Sequence, residues 1–572
     1  MNQGIKEKVR ERRSLLSSLA GGVGGRLDGR PGKYRMQRFM RTPLNPEWPQ
    51  AGDQRGVPAA PSAAVVALNR MGFGPRPGDV DAFNALGATD PQRMQAYVAQ
   101  QLDPDSLDDS ALDARLAAAG FTTLDKTLLE LWADHVVADP PYEERIRPLT
   151  ETESMTFLRA VYSKKQLFEV MVEFWHNHFS IYGREFNIAP VWVHYDRDVI
   201  RANALGNFRQ MLQADATSTA MLFYLDNYEN SAAGPNENYA RELFELHTLG
   251  AENYYGLIPR SQVPVDGNGV PVGFVDEDVF GAAKALTGWT VRSRSWDPNF
   301  GDTGEFFYYA PWHDDGPKAF LNVVINGPQA PMKDGEDLLD ALAAHPGTGR
   351  FIARKLCRRL VGDSPPQSLV DQAAAVFTAQ KDAPDQIRQV LQTILLSPEF
   401  LAAWGDKVKR PFEIAASALR AGESELSFHL DDSDTGTFYW LYSQTGHRLF
   451  GWNPPNGYPD FKVAWQSTTP RVMCWRLVNW LVDSTDDLGA YFMDLVGATP
   501  AGVRSANAIV DFWVDRVFGR TIDPGTRAEL VDFMAQGFLP DLDLPLDTDD
   551  DTRTRLRSLV ALMFMSPEFL WR

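Results

Sequence analysis

Cysteine is nearly absent: Cys357 and Cys474 are the only two in 572 residues. The chain therefore has no disulfide framework and no cysteine pair at metal-ligand spacing. Long hydrophobic runs are missing too. Without a stretch of about eighteen apolar residues, no transmembrane span is expected. There is no glycine-rich phosphate loop, Gly-x-Ser-x-Gly elbow, His-Glu-x-x-His helix or Cys-x-x-Cys-His haem motif. Nucleotide-dependent and covalent serine chemistry have no support, and no nucleotide cofactor is expected. Positive charge is in deficit, 56 Lys and Arg against 75 Asp and Glu, for a formal charge of −19. An acidic body of this kind disfavours nucleic-acid binding.

The charge is unevenly spread. Residues 1–41 hold eleven Lys/Arg and three Asp/Glu, or +8, which leaves −19 − 8 = −27 for residues 42–572. This arm can dock on an acidic partner, a membrane surface or the acidic body itself. Within it, Arg12-Arg13-Ser-Leu-Leu16 and the following Ser/Gly-rich stretch are similar to a twin-arginine export signal, but the apolar part is short and no A-x-A cleavage site follows. An uncleaved arm is the preferred reading, with a cytoplasmic location ahead of export.

What the chain does have is apolar content, 44% hydrophobic with 11% aromatic residues, enough for a large core. Pro235 to Gly250 reads as one helix, with Asn236 as N-cap, Glu237 in the first turn and Gly250 as the left-handed stop. Its apolar stripe contains His247. Glu237, Arg241 and Glu245 stand at i, i+4, i+8 on the other side, with Glu242 at the edge. Two readings stand side by side: an ion-pair ladder on a solvated face, or an arginine, a histidine and carboxylates lining a polar cavity.

Lys165 to Phe179 is a second amphipathic helix, with His178 in its apolar stripe and Glu169, Glu173, His176 and Asn177 opposite. Glu173 and His176 have the Glu-x-x-His spacing of carboxylate-bridged di-iron bundles, yet their side of the helix reads as solvated. Val291 to Tyr309 alternates and predicts a short strand pair. His313-Asp314-Asp315-Gly316-Pro317-Lys318 then breaks all periodicity, as a functional loop or a turn capped by its own aspartate would. Ser397-Pro-Glu-Phe-Leu401 recurs as Ser566-Pro-Glu-Phe-Leu570, each after an apolar helix, which suggests two related lobes.

The fold expected is mainly α: a multi-helix globular protein of two packed lobes with a small β-hairpin element. The organisation read from the chain is a basic Gly/Pro-rich arm at 1–62, a main helical domain at 63–404, and a C-terminal helical lobe at 405–572. That lobe holds an aromatic Pro-rich loop, in which Trp452, Tyr458 and Trp465 serve as a substrate wall or as a staple.

Several ordered motifs carry a resemblance: Leu68-Asn-Arg-Met-Gly-Phe-Gly-Pro75, Phe174-Trp-His-Asn-His-Phe179, Tyr224-Leu-Asp-Asn227, the 235–250 stretch, Ala285-Leu-Thr-Gly-Trp289, His313 to Lys318 and Phe351-Ile-Ala-Arg-Lys355. Together they resemble a large, mostly bacterial family catalogued as domain of unknown function number eighteen hundred. The resemblance implies a helical protein, often exported and often encoded beside a second uncharacterised protein that is a candidate partner.

Three functions follow as expectations. The first is a metal-dependent enzyme, an oxidoreductase before a hydrolase, with iron, copper, manganese or zinc held by His178, His247, His313 and Glu242. Glu242, Arg241, Asp314 and Lys318 are its candidate catalytic residues. Glu242 and His247 lie ~140° apart on their helix, so both do not easily bind one ion. The second is a non-catalytic helical scaffold for a partner protein. The third is a metal-independent hydrolase with Glu242 and His313 as acid and base.

Overall fold

Apolar spacing produces the long helices that organise the chain. In the computed structural model, residues 61–486 and 489–572 are described. The basic arm and its twin-arginine motif lie outside the described residues. Five helices position the site: α1 (Arg147–Tyr162), α2 (Gln166–Phe179), α3 (Glu237–Glu242), α4 (Pro346–Leu360) and α5 (Pro411–Ala421). Proline occupies the first turn of α1, α4 and α5, where its missing N–H costs nothing. The protein is mainly α.

The described residues fall within one compact unit that contains two hydrophobic cores. The first gathers apolar side chains between Ala64 and Ala403. The second joins Phe412 to Phe569 with residues from earlier in the chain, including Phe157, Leu158 and Val161 of α1 and Val170 of α2. α2 also sends Leu167, Met171 and Trp175 into the first core, so it lies along the seam. The repeated Ser-Pro-Glu-Phe-Leu segments follow the same division, with Phe400 buried in the first core and Phe569 in the second.

This placement corrects one expectation. The polar face of α2 is not solvated: Glu169 and His176 are buried, and the Glu173 side chain is only 10% exposed. Arg201 and Asp196 cover Glu169 and His176, and Arg359 and Arg410 cover Glu173. A single helix cannot announce such a partner.

The predicted strand pair is β1 (Trp289–Arg294) against β2 (Gly301–Tyr308), antiparallel, with a register shift between Val291 and Ser293. A second small pair, β3 (Lys318–Phe320) and β4 (Val323–Ile325), follows the His313 loop. The 235–250 helix starts as expected, with the Asn236 side chain accepting from the Asn238 N–H, and stops at Gly250 with φ +93°. Its second half is wider than expected, a π-helical turn over Leu243–Thr248 in which the Thr248 hydroxyl donates to the Leu243 carbonyl at 2.6 Å.

Candidate functional site

Where the cores meet, α2, α4, α5 and the 446–460 loop bring charged side chains together out of water. Glu173 accepts from Arg410 at 2.7 Å and Arg359 at 3.2 Å. One oxygen of Glu413 meets Arg359 at 2.5 Å, Arg572 at 2.7 Å and Arg410 at 3.4 Å; the other accepts the Arg410 backbone N–H at 2.8 Å. Against its own burial, Glu413 is held well below the usual carboxylate range by Arg359, Arg572 and Arg410. Asp460, with its side chain about 20% exposed, is drawn down to about 2 by Lys407, Arg359 and Arg410. The cations Arg359, Arg410, Arg572 and Lys407 and the carboxylates Glu173, Glu413, Asp460 and Asp363 pin one another, so this rim is a rigid, charge-balanced frame.

A cleft opens against that frame, lined by His178, Lys355, Arg358, Arg410, Asp460 and Glu173 among others. His178 is buried, and its Nε2 lies 3.1 Å from the His247 carbonyl oxygen, which can only accept. Nε2 therefore carries the hydrogen, and Nδ1 is the acceptor for the Lys355 ammonium at 2.8 Å. Burial, then Lys355, keeps the His178 imidazole neutral, with its pKa well below the usual value. Burial, then the Arg358 charge, lowers the Lys355 pKa to about 8. Lys355 forms no ion pair among the described residues; its ammonium meets His178 and lies 5.4 Å from the Phe351 ring centre. Arg358 likewise has no ion-pair partner there, stacking over Phe461 at 4.4 Å and donating to the Asp363 carbonyl at 3.4 Å.

A second cleft shares Glu173 and Asn177 with the first and runs along the same face of α2 past His176. Phe450, Trp452 and Tyr458 of the Pro-rich loop form its aromatic side. Trp452 and Tyr458 border this cleft, Trp465 does not, and the loop is stapled in place. Tyr458 packs on His447 at 4.5 Å and Trp452 at 4.7 Å, while the Asn177 amide clamps its backbone, donating to the carbonyl at 3.0 Å and accepting from the N–H at 2.7 Å. Gly457, at φ +74°, must be glycine, because a Cβ there would stand 2.2 Å from the Asn177 carbonyl.

The sequence-predicted residues divide. His178 and His247 come together, with ring centres 6.2 Å apart. His247 is fully buried, its ring nitrogens make no well-formed hydrogen bond, and burial followed by the Lys355 charge lowers its pKa to about 3 against a weak contact with the Phe179 backbone. His313 does not join them. It sits between the Thr287 carbonyl at 2.8 Å and Asp334 at 3.1 Å, with Lys318 on the same aspartate. Asp314 takes the capped-turn role, accepting the Gly316 N–H at 2.7 Å and pairing with Lys284 at 3.1 Å.

Arg241 takes the ion-pair reading, at 3.1 Å from Glu237, 3.6 Å from Glu245 and 3.2 Å from Asp276. Glu242 is half-buried, and burial followed by Glu245 raises its pKa to about 7; Tyr224 is among its surroundings. Among the described residues no three His, Cys, Asp or Glu side chains are grouped to hold a metal ion.

Lys355, Arg358, Arg410 and Asp460 escaped the sequence reading. Lys355 was visible only as the end of one shared motif, because Lys355, Arg358 and Arg359 at i, i+3, i+4 look like a solvated basic face. Two of the shared motifs line the cleft, Phe174–Phe179 and Phe351–Lys355, and the 235–250 stretch supplies the His247 carbonyl that holds His178. The family described as "Protein of unknown function (DUF1800)" matches residues 66–571, and the chain belongs to it. No curated protein matches the chain, and no solved structure does.

Proposed function

We propose that the chain is an acid–base enzyme for a substrate bearing an anionic group, with Lys355 as the proton-transferring residue. The contact that carries this reading is Lys355 Nζ to the acceptor nitrogen of a neutral His178, at 2.8 Å, in a cleft with no carboxylate paired to the lysine. An amine with a pKa of about 8 exchanges its proton near neutral pH, which an ordinary lysine does not. His178, locked by the His247 carbonyl, accepts from the ammonium and orients it. The Arg358 guanidinium, free of ion pairs, supplies a planar donor set for a carboxylate or phosphate. The roles first given to Glu242 and His313 pass to Lys355 and His178.

Competitive acetylation of lysines across pH 6–11, read peptide by peptide by mass spectrometry, tests the premise. Lys355 is expected to titrate near pH 8, about two units below surface lysines. In a screen of anionic esters and amides, Lys355→Met should lose roughly a hundredfold or more of any activity found. A lysine that titrates with the surface set, or an activity untouched by Lys355→Met, sinks the proposal.

A transition-metal oxidoreductase is the second reading, and His247 favours it: a buried imidazole with no well-formed hydrogen bond, beside His178. Against it stands the Lys355 ammonium at His178 Nδ1, whose charge repels a cation. Elemental analysis of protein purified without added metal separates the two. Stoichiometric iron, copper, manganese or zinc, lost in both His178→Ala and His247→Ala, would favour the redox reading.

A further inference from the structure

Tryptophan is mostly buried in folded proteins, yet Trp440 and Trp475 stand 51% and 42% exposed. They lie on α6 (Ser433–Ser443) and α7 (Thr468–Asp483), which pack on each other, and α7 packs also on α8 (Asp550–Met565). The inner faces of the three helices belong to the second core, through Phe438, Leu477 and Leu559 among others. We propose that their outer face docks on an anionic lipid bilayer, with its apolar tips in the interface and its arginines among the headgroups. The contact is peripheral: among the described residues no helix is long and apolar enough to cross a membrane.

The exposed apolar groups form one surface rather than scattered points. Val472, Trp475, Arg476 and Asn479 stand at i, i+3, i+4 and i+7, an exposed stripe along α7. The Arg476 guanidinium lies over the Trp440 ring, 4.7 Å from its centre, and so joins α6 to the stripe. Trp475 Nε1 donates to the Met565 carbonyl at 3.2 Å, and the Asn479 amide meets Met565 Sδ at 3.2 Å; this joins the end of α8, where Leu562 is exposed one turn earlier. The Trp475 N–H is thus spent inside the protein, and the rest of the ring is hydrocarbon. Exposed Trp, Val and Leu beside arginine is the composition that settles at the boundary between headgroups and acyl chains.

Charge selects the occupant. Residues 435–482 hold four basic residues, Arg448, Lys462, Arg471 and Arg476, and a single acidic one, Asp460, for a net +3 within a body that sums to −27. Asp460 is tied to Lys407 at 2.7 Å. Among the described residues Arg471 and Arg476 make no ion pair, and Arg471 stands at i, i+4 to Trp475, so both guanidinium groups border the apolar stripe. The nearest carboxylate along α7 is Asp483, seven residues or about 10 Å from Arg476, and it pairs with Arg557 at 3.6 Å. That separation exceeds the screening length of about 8 Å at physiological salt, so the acidic body is not felt at this face. An acidic peptide needs one basic spot. A bilayer is an extended anionic plane that opposes a carboxylate anywhere on the docking face, and clearance across a whole surface fits it.

Co-sedimentation of the full chain with vesicles of phosphatidylglycerol and phosphatidylcholine in equal parts tests the assignment, with pure phosphatidylcholine vesicles as the reference. Wild type is expected to bind the anionic vesicles at least tenfold more tightly than the neutral ones. Trp440→Ser/Trp475→Ser should weaken that binding at least tenfold and Arg476→Glu at least fivefold, with urea unfolding midpoints near wild type because these side chains are exposed. The basic arm at residues 1–41 also carries charge for anionic lipid, so a second readout locates the contact. Dibrominated lipid should quench the tryptophan fluorescence of wild type on vesicles, whereas Trp440→Phe/Trp475→Phe, which keeps the apolar bulk, should still sediment and lose most of the quenching. No binding of wild type to anionic vesicles overturns the proposal and leaves a partner protein as the occupant of this face. So does binding that stays within twofold of wild type in both the serine variant and Arg476→Glu, or quenching that the phenylalanine variant retains in full.

Discussion

Glu413→Gln is expected to cost about 3–5 kcal/mol of folding stability, the loss typical of breaking a buried charge cluster by removing one partner. The carboxylate is 1% exposed and is met by three guanidinium groups within 3.4 Å, all from residues that are themselves buried. Glutamine keeps the shape and one acceptor but leaves Arg359, Arg410 and Arg572 facing one another with Glu173 as the nearest remaining counter-charge. Urea unfolding followed by tryptophan fluorescence measures the loss. Glu423→Gln is the control: its partner Arg516 is 2.6 Å away, but the glutamate side chain is 46% exposed, so the loss should stay below about 1 kcal/mol. Equal losses in the two variants would show that the Glu413 cluster adds nothing beyond a surface pair.

The pH dependence of Glu413 has a definite sign. Its folded pKa is depressed, so its contribution is complete above the unfolded value, about 4.3, and is lost as pH falls from there toward the folded value. Acid should therefore open the seam between the two cores, where this cluster sits, and Lys355 and His178 lie on the same seam.

Much of the fold was legible in the chain because its signals are local. The cap at Asn236, the stop at Gly250, the alternation from Val291 to Tyr309 and the repeated Ser-Pro-Glu-Phe-Leu segments each depend on a few neighbouring residues. The site was half legible. His178 and His247 announced themselves as polar residues inside apolar stripes, and they do meet. Glu169, Glu173 and His176 were misread as solvated, because their partners Arg201, Arg359, Arg410 and Asp196 come from other segments, Arg410 from 237 residues away. A charged stripe looks the same whether water or arginine covers it. In the His313 loop, broken periodicity left a functional loop and a capped turn equally open; Thr287 and Asp334, which hold His313 in place, come from elements that the loop's own residues do not announce. The π-helical turn at Leu243–Thr248 left no mark at all, since its residues suit an α-helix equally well.

Asp215→Asn should raise stability in alkaline solution, by on the order of 5 kcal/mol near pH 9 relative to wild type. Asp215 is fully buried, and burial raises its pKa from the ordinary value to about 8 even though the Tyr195 hydroxyl donates to one of its oxygens at 2.9 Å. The other oxygen has no partner, nor does the buried Tyr239 hydroxyl whose own pKa burial and Asp215 push upward. The folded protein thus favours the neutral acid, whereas the unfolded chain releases the proton near pH 3.8. The wild type loses nothing from this group below that value, then loses about 1.4 kcal/mol per pH unit until pH 8, and nothing further above it. Asparagine keeps the acceptor for Tyr195 and carries no charge at any pH. Because other groups titrate over the same range, the quantity to measure is the difference in urea unfolding free energy between variant and wild type at pH 5, 6, 7, 8 and 9. A difference that climbs between pH 5 and 8 and then levels identifies a neutral aspartic acid in the first core. A difference independent of pH would mean that Asp215 is ionised in the folded protein, with its charge met by a group other than Tyr195.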